Sequence, residues 1–486
     1  MTDGKAWRLG SALTCLALLT ACAGGGGTPE TGAPAADETS IVLSDSGVEV
    51  DGQAAPDSAD AAVYVGADIV YYEDGRDETY GEGAEEDAHT AEEAAAHTVV
   101  TITQPGTYRV SGTLSLGQLA VDLGEDAEED PEAVVTLILD GADITCTVAP
   151  AVIFYSVYEC GPGDEEDASP TVDTSAAGAN VVLSDGSVNN ITGSYVARIY
   201  KEGTTDKLHK YDGAFYSKMS MNVDGETAGT GVLNLTADNE GLDSELHLTI
   251  NGGVINITAE NDGINTNEDG VSVTTINGGT ITITGGLGAE GDGIDSNGYL
   301  VVNGGTVLTT ANPQAGEGGI DSDSGICLNG GTVIALGSRN DSAAADSAQA
   351  LIELTFRTTV SEGSEVELRD SEGTAVVSFT APRDFSSATL SVPELAWDST
   401  YTLWVDGVQQ QYTGTGTMAG PGGGPGGGGQ PPEGMEPPEG GQPPEGMQPG
   451  GRPGDGGAAV EPGETAFVIT ADSHAFQGVG DLVSGE

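Results

Sequence analysis

Apolar side chains recur at a fixed interval through the middle of the chain. The triplet Asn-Gly-Gly begins at Asn251, Asn277, Asn303 and Asn329, each 26 residues after the one before. Around these triplets the apolar residues form columns: Ile250, Ile276, Val302 and Leu328; Ile255, Ile281, Val307 and Val333; and Leu242, Ile264, Ile294 and Ile320. A period that holds for several columns at once indicates stacked repeat units rather than an ordinary sheet. We therefore predict an all-β fold, a right-handed parallel β-helix whose coils of 26 residues run from about Asn239 to Ser338.

The pattern changes on both sides of this repeat. Segments rich in β-branched residues begin at Thr98, so the β-helix is expected to span residues 97–340, with a longer loop region from Ser184 to Lys218. Alternating apolar and polar residues from Leu351 to Tyr412 predict a small antiparallel β module, residues 350–412. The Pro- and Gly-rich residues 413–457 are expected to stay extended and unpacked, and residues 458–486 form a tail.

The first 96 residues predict an export signal and a stalk. Lys5 and Arg8 precede a short apolar run, which is typical of a signal peptide, residues 1–22. Leu19-Thr20-Ala21-Cys22 resembles the bacterial lipobox, so we predict lipidation of Cys22 and anchoring on the extracellular face of the cell membrane. Secretion without a lipid is the alternative. Residues 23–96 are rich in Ala, Gly, Pro and acid and predict a disordered acidic stalk, from which Val63–Tyr72 is expected to dock on the main domain.

The charge of the chain restricts its partners. The formal net charge is −63, from 77 acidic and 14 basic residues, which disfavours nucleic acid and anionic lipid surfaces and favours cations. The membrane is expected to be contacted only through the lipid anchor, and the protein is expected to be a monomer. Among the cysteines, Cys146 and Cys160 could pair outside the cell, and the sequence leaves this open.

The turns of the predicted coils align polar side chains. Stacking places Asp243, Asn265, Asp295 and Asp321 in one column, with Asn239, Asp262 and Asp292 in a neighbouring one and Asp323 close by. Neighbouring carboxylates repel each other, and calcium would reverse this cost because it takes six to eight oxygen ligands. We predict that these eight residues bind calcium; the alternative is that they are solvated turn formers. The Asn-Gly-Gly asparagines are interpreted as a structural amide ladder.

Several motifs carry a resemblance to a known family. Thr275-Ile276-Asn277-Gly278-Gly279, the run from Gly291 to Tyr299 and Gly319-Ile320-Asp321-Ser322-Asp323 resemble the polysaccharide-lyase-like β-helical carbohydrate-binding domain family of clostridial and related bacteria. The resemblance covers about Thr98 to Tyr412. It implies a right-handed β-helix, calcium in the coil turns, and binding of cellulosic or acidic plant polysaccharides without demonstrated cleavage. Members often have Lys beside the turn Gly-Ile where this chain has Asp or Asn, which weakens the case for binding uronates.

Three functional hypotheses follow from these observations. The first is non-catalytic binding of extracellular polysaccharide, with Tyr211, Phe215, Tyr216, Lys218 and Tyr299 as candidate sugar-contacting residues. The second is a polysaccharide lyase acting on uronate polymers, which needs a basic residue to remove a proton, yet no Lys or Arg lies between Met219 and Ser338. The third is a structural or adhesive envelope protein. No catalytic residues are predicted.

Overall fold

Strands dominate the structure, which is a computed structural model that describes residues 38–73, 75–76, 79–161, 168–344, 346–414, 467–469 and 474–483. Within these ranges the helical elements are a single α-helix, α1 (Ala91–Ala95), and two 3-10 turns, Glu85–Asp87 and Ala127–Glu129. No helix in these ranges is long and apolar enough to cross a membrane. The predicted signal peptide with Cys22, and the linker beyond Gly414, lie outside the described residues.

The strands are numbered in chain order. The first group is β1 (Glu38–Leu43), β2 (Glu49–Val50), β3 (Gln53–Ala54), β4 (Val63–Gly66), β5 (Thr98–Ile102), β6 (Gly106–Leu114), β7 (Gly117–Asp122), β8 (Val135–Thr145), β9 (Val152–Ser156), β10 (Ala179–Leu183), β11 (Val188–Gly193), β12 (Val196–Tyr200), β13 (Lys207–Tyr211), β14 (Gly213–Ser217), β15 (Met221–Gly225) and β16 (Val232–Ala237). The second is β17 (Glu240–Ser244), β18 (Leu248–Ile250), β19 (Val254–Ala259), β20 (Ile264–Thr266), β21 (Val273–Ile276), β22 (Thr280–Thr284), β23 (Ile294–Ser296), β24 (Tyr299–Val302), β25 (Thr306–Thr310), β26 (Gly325–Leu328) and β27 (Thr332–Gly337). The third is β28 (Leu351–Val360), β29 (Glu365–Arg369), β30 (Ala375–Thr380), β31 (Phe385–Ser391), β32 (Ser399–Val405), β33 (Val408–Gln409), β34 (Tyr412–Gly414), β35 (Phe467–Ile469) and β36 (Ala475–Val479).

Three ladders of hydrogen-bonded strands form the main body. The first ladder pairs β6, β8, β10, β15, β18, β21, β24 and β26 in that order, and every pairing is parallel. The second ladder pairs β8, β11, β16, β19, β22, β25 and β27, also in parallel. The third ladder pairs β4, β5, β7, β9, β14, β17, β20 and β23, and only its first pair is antiparallel. The chain is therefore all-β with parallel sheets.

The apolar columns of the sequence face the core between these ladders. Ile250, Ile276, Val302 and Leu328 follow one another in register along the first ladder, and Ile255, Ile281, Val307 and Val333 along the second. Leu242, Ile264 and Ile294 do the same along the third. All of these side chains are buried, and burial of each stabilises the fold by about 1.5–3 kcal/mol relative to exposure. These sequence-predicted columns are confirmed.

The Asn-Gly-Gly triplets make the turn between the first and second ladders. The second glycine of each triplet has a positive φ, as Gly279 does at +89°, a conformation that residues with a Cβ avoid. A Cβ on Gly279 would also lie 3.0 Å from the carbonyl oxygen of Gly253 in the preceding turn. The positive φ therefore requires glycine at this position, and the close approach of the two turns leaves little space for a side chain.

Residues 38–66 are ordered, which corrects the predicted disordered stalk over this part of its range. β1 pairs in parallel with β6, and Ile41 and Leu43 are buried in the core. Arg109 on β6 forms an ion pair with Glu38, with 2.9 Å between Nε and Oε2. The prediction was wrong here because the average composition of the segment hid a short alternating strand that covers the otherwise open edge of β6. The predicted docking of the apolar patch is confirmed at β4, which pairs with β5.

Two further regions differ from expectation. The predicted loop from Ser184 to Lys218 contains β11, β12, β13 and β14, and two of these strands lie within the ladders. The β module after the repeat is antiparallel as predicted, but it is not separate, because its strand β31 pairs with β27, the last strand of the second ladder. The tail also contributes, because β36 adds to this sheet beside β28. Cys146, Cys160 and Cys327 are free thiols. The disulfide between Cys146 and Cys160, which the sequence left undecided, is therefore not formed.

Candidate functional site

An acidic column runs up the third ladder. Asp243, Asn265 and Asp295 are in register on β17, β20 and β23, because each strand pairs with the next in parallel. Asp321 comes next, and its backbone N–H donates to the carbonyl of Ile294 at 2.8 Å. We call this set, Asp243, Asn265, Asp295 and Asp321, the first acidic column. The column predicted from the sequence is confirmed.

A second acidic column lies beside the first, at the residue before each turn glycine. The N–H of Gly241 donates to the carbonyl of Asp262, and the N–H of Gly263 donates to that of Asp292, so Glu240, Asp262 and Asp292 are equivalent. These three residues form the second acidic column. Asn239, which the sequence analysis put here, lies one residue outside and donates its Nδ2–H to the carbonyl of Asp212 at 3.3 Å.

The error at Asn239 has a simple cause. Alignment by residue type, on Asp or Asn as the usual turn formers, favoured Asn239 over Glu240, whereas the glycine sets the register because backbone must approach backbone there. A Cβ on Gly241 would lie 2.4 Å from the carbonyl oxygen of Gly263. Aligning Glu240-Gly241 on Asp262-Gly263 would have identified Glu240 as the residue in the column.

Three carboxylates of the two columns lie close together. One carboxylate oxygen from each of Asp292, Asp295 and Asp321 lies within 4.8 Å of the other two. Backbone donors orient part of this group, since Asp292 Oδ1 accepts from the N–H of Gly318 at 2.5 Å and Asp262 Oδ1 accepts from the N–H of Asp292 at 2.6 Å. Repulsion among carboxylates at such distances is strong when water is excluded.

Burial and mutual repulsion raise the pKa of these carboxyl groups. Burial, followed by the charges of Asp321 and Asp295, raises the pKa of Asp292 to about 9. Burial and the neighbouring Asp341 raise the pKa of Asp321 to about 8, and burial and Asp323 raise that of Asp295 to about 6. Each group therefore resists ionisation unless a positive charge is bound nearby.

At the lower end of the two columns, which is the end nearest β14, lie polar atoms without hydrogen-bond partners and the ammonium group of Lys210. Within the described residues, Glu240 Oε2 and Asn265 Oδ1 are buried and have no hydrogen-bond partner. Burial and the charge of Asp212 raise the pKa of Glu240 to about 8. Lys210 forms an ion pair with Asp212, with 2.5 Å between Nζ and Oδ2, and the carboxylates there raise the pKa of this lysine although its burial opposes the charged form.

The donor set fits a hard divalent cation. Every available ligand atom is a carboxylate or amide oxygen, as calcium prefers, and the unpartnered oxygens of Glu240 and Asn265 offer unused acceptors. Buried polar groups without partners are rare in folded proteins and call for an explanation such as an ion. Asp323 is an exposed member of the predicted ligand set, and burial together with Asp269 and Asp341 raises its pKa.

The predicted sugar-contacting aromatic residues do not form an exposed surface. Phe215 and Tyr216 are buried because β14 lies between β9 and β17 in the third ladder, and Tyr211, at the end of β13, is buried against the ring of Tyr216. Tyr211 stacks on His209, with 3.8 Å between ring centroids. The prediction that these three residues contact a sugar is therefore wrong, because this aromatic cluster belongs to the hydrophobic core.

The two remaining candidates lie apart from each other. Lys218 follows β14 and forms an ion pair with Glu128, with 2.9 Å between Nζ and Oε1. Tyr299 is half-buried at the start of β24, in a different ladder. The structure does not bring Lys218 and Tyr299 together into one site with the aromatic cluster.

Comparison with known proteins identifies a family. A family model described as "Carbohydrate-binding domain-containing protein" matches residues 96–160 and 164–377, which is more than half of the 486 residues. A search of curated proteins and a search of solved structures gave no match. The matched ranges contain both acidic columns and nearly all of the three ladders.

Proposed function

This chain belongs to the family of carbohydrate-binding domain-containing proteins, and we propose that it binds extracellular polysaccharide without cleaving it. The family match is the observation that carries this proposal. The parallel ladders support it, because stacked strands present a long, rigid and regular outer surface suited to an extended polymer. We further propose that the ladders wind as a right-handed β-helix. Coils of 26 residues are favoured by the pairing of Thr280 with Thr306 and of Thr306 with Thr332, whereas Leu242, Ile264 and Ile294 pair at spacings of 22 and 30 residues. An experimental structure tests the winding, and a left-handed path would contradict it.

The basic residues favour binding over elimination chemistry. A lyase needs an unpaired basic side chain beside its substrate. Arg198, Lys207, Lys210 and Lys218 instead form ion pairs with Glu82, Glu245, Asp212 and Glu128, respectively. This part of the chain thus neutralises acidic neighbours.

Binding without cleavage predicts a specific pair of results. The full chain should be retained by at least one polysaccharide of a panel that includes cellulosic and uronate polymers. It should release no unsaturated oligosaccharide from any of them, measured by ultraviolet absorbance over a long incubation. Absence of binding to the whole panel would overturn the proposal, and a rising absorbance with a uronate polymer would replace it with the lyase.

We propose that calcium occupies the two acidic columns and stabilises this scaffold. Asp292, Asp295 and Asp321 would hold one ion, and the orphaned oxygens of Glu240 and Asn265 support a ligand at the lower end. The ion would supply positive charge to these carboxylates, which lowers their pKa, and it would join β23 to the segment that carries Asp321. No role in chemistry on the sugar is assigned to it.

The cell-surface location is also a proposal, carried by the sequence around Cys22. Substitution Cys22→Ser should move the protein from the membrane fraction to the soluble secreted fraction of its host, because the sulfur that accepts the lipid is lost. Fractionation followed by immunoblotting measures this. A matched substitution Cys15→Ser should leave the protein with the membranes, and an unchanged distribution of the Cys22 variant would contradict the lipid anchor.

A further inference from the structure

A polar groove runs along the outer face of the first ladder. It consists of two adjoining cavities of about 370 and 300 Å³, which share Val172, Asp173, Thr275 and Asn277 in their walls. This face is separate from the third ladder, which carries the acidic columns. The groove therefore needs its own explanation.

The floor of the groove is built from side chains that repeat once per strand. Asn222, Thr249 and Thr275 are in register on β15, β18 and β21. Beside them the Asn-Gly-Gly asparagines form the predicted amide ladder, which is confirmed. In this ladder Asn277 Nδ2 donates to Asn251 Oδ1 at 2.9 Å, and Asn303 Nδ2 donates to Asn277 Oδ1 at 2.9 Å.

The amide ladder leaves hydrogen-bonding capacity facing outward. An asparagine side chain has two N–H donors and two acceptor lone pairs, and the ladder uses one donor and one acceptor of Asn277. Asn251, Asn277, Asn303 and Asn329 are exposed. The floor thus presents a row of free donors and acceptors at the spacing of neighbouring strands, about 4.8 Å.

One wall of the groove is a segment that crosses the ladder, residues 168–175. Thr174 Oγ1 lies 2.7 Å from both Asn222 Oδ1 and Thr249 Oγ1, and Asn222 Nδ2 donates to the carbonyl of Thr174 at 2.8 Å. At the other end of the segment the N–H of Ala168 donates to the carbonyl of Gly270 at 2.6 Å. Because both ends are tied down, the groove exists before any ligand binds, which lowers the entropic cost of binding.

We propose that this groove binds a neutral, extended pyranose polysaccharide whose chain runs across the strands of the first ladder. The hydroxyl groups of such a chain both donate and accept hydrogen bonds, as the free amide groups of the floor do. A pyranose unit advances an extended chain by a length similar to the strand spacing, so successive units meet equivalent asparagines.

Charge selects a neutral ligand over an acidic one. Among the residues that the structure describes, the charged side chains that line the groove are the carboxylates of Asp173 and Asp224, and no Lys or Arg lines it. A uronate polymer would bring further negative charge against them and be repelled. The inference rests on the proposed function and narrows its ligand to the neutral class.

Substitutions in the amide ladder test the groove. In the full chain, Asn277→Ala and Asn303→Ala should each raise the dissociation constant for a neutral polysaccharide by about tenfold, because each removes a floor contact and disorders its neighbour. The matched control is Asn234→Ala. Asn234 belongs to another amide ladder, in which Asn234 Nδ2 donates to Asn190 Oδ1 at 3.0 Å and Asn256 Nδ2 donates to Asn234 Oδ1 at 2.9 Å, away from the groove.

The outcomes separate this inference from the function on which it rests. Normal affinity in the control, with weakened binding in the groove variants and a melting temperature similar to that of the control variant, supports the groove. If the native chain binds a neutral polysaccharide and the groove variants bind it as well as the control does, the assignment of the groove as the binding site is overturned, while the proposal of carbohydrate binding stands. Binding of the native chain to uronate polymers alone overturns the neutral ligand class. No binding to any polysaccharide overturns both proposals.

Discussion

Removal of calcium is expected to lower the melting temperature of the protein by about 5–10 °C, the effect of an ion present at roughly a hundred times its dissociation constant. The reason is the carboxylate cluster of Asp292, which is buried, and of Asp295 and Asp321, which are half-buried; their oxygens lie within 4.8 Å of one another. With calcium bound, each negative charge faces the ion. Without it, the carboxylates face each other with little water between them. Differential scanning calorimetry in calcium and in excess chelator measures the change.

A substitution within the cluster should reverse its effect between the two conditions. Asp295→Asn removes a charge, so it should raise the melting temperature in chelator by relieving repulsion and lower it in calcium by weakening the site. The matched control is Asp60→Asn, at an exposed position outside the columns, which should shift neither value appreciably. An equal melting temperature of the native chain in calcium and chelator would contradict the cation columns.

The pH dependence of stability in chelator should be inverted relative to that of most proteins. A carboxyl group whose pKa is raised on folding binds its proton more tightly in the folded state, so its contribution is present at low pH and is lost as pH rises. The folded values are about 6 for Asp295, about 8 for Asp321 and about 9 for Asp292. The melting temperature in chelator should therefore fall by about 5 °C or more between pH 5.5 and pH 9.

Calcium should remove or reverse this slope, because the ion binds the deprotonated carboxylates and competes with protons. The measurement is a series of thermal melts from pH 5.5 to 9 in each condition. The variant Asp321→Asn should show a shallower fall in chelator because it lacks one of the titrating groups. A melting temperature in chelator that rises over this range would contradict the raised pKa values.

The sequence predicted the parts of this fold that are set by periodicity. The columns through Ile276 and Ile281 follow from equal spacing, because stacked strands force equivalent residues over one another. The first acidic column through Asp295 was predictable from the turn motif instead, because Asp or Asn follows Gly-Leu or Gly-Ile in each turn although the spacing varies. Side chains on the two sides of each strand share one register, so the inner columns also fix the outer ones.

What the sequence did not predict lies where the period breaks. Phe215 and Tyr216 were expected at a sugar site because no repeat indicated that β14 joins the third ladder, which buries them, and Tyr211 packs against Tyr216. Ile41 was assigned to a stalk because a single short strand is invisible in average composition. The groove was missed because its wall, residues 168–175, carries no motif and reaches the first ladder only through tertiary contacts such as the Thr174–Asn222 hydrogen bond.

The most direct test of a carbohydrate-binding scaffold stabilised by calcium is polysaccharide affinity at two temperatures, in calcium and in chelator. Below both melting temperatures, the full chain should bind the polysaccharide with similar affinity in either condition, because the groove and the acidic columns lie on separate ladders. Between the two melting temperatures, binding should persist in calcium and vanish in chelator. No binding under any of the four conditions, or loss of binding in chelator while the protein is still folded, would contradict the account.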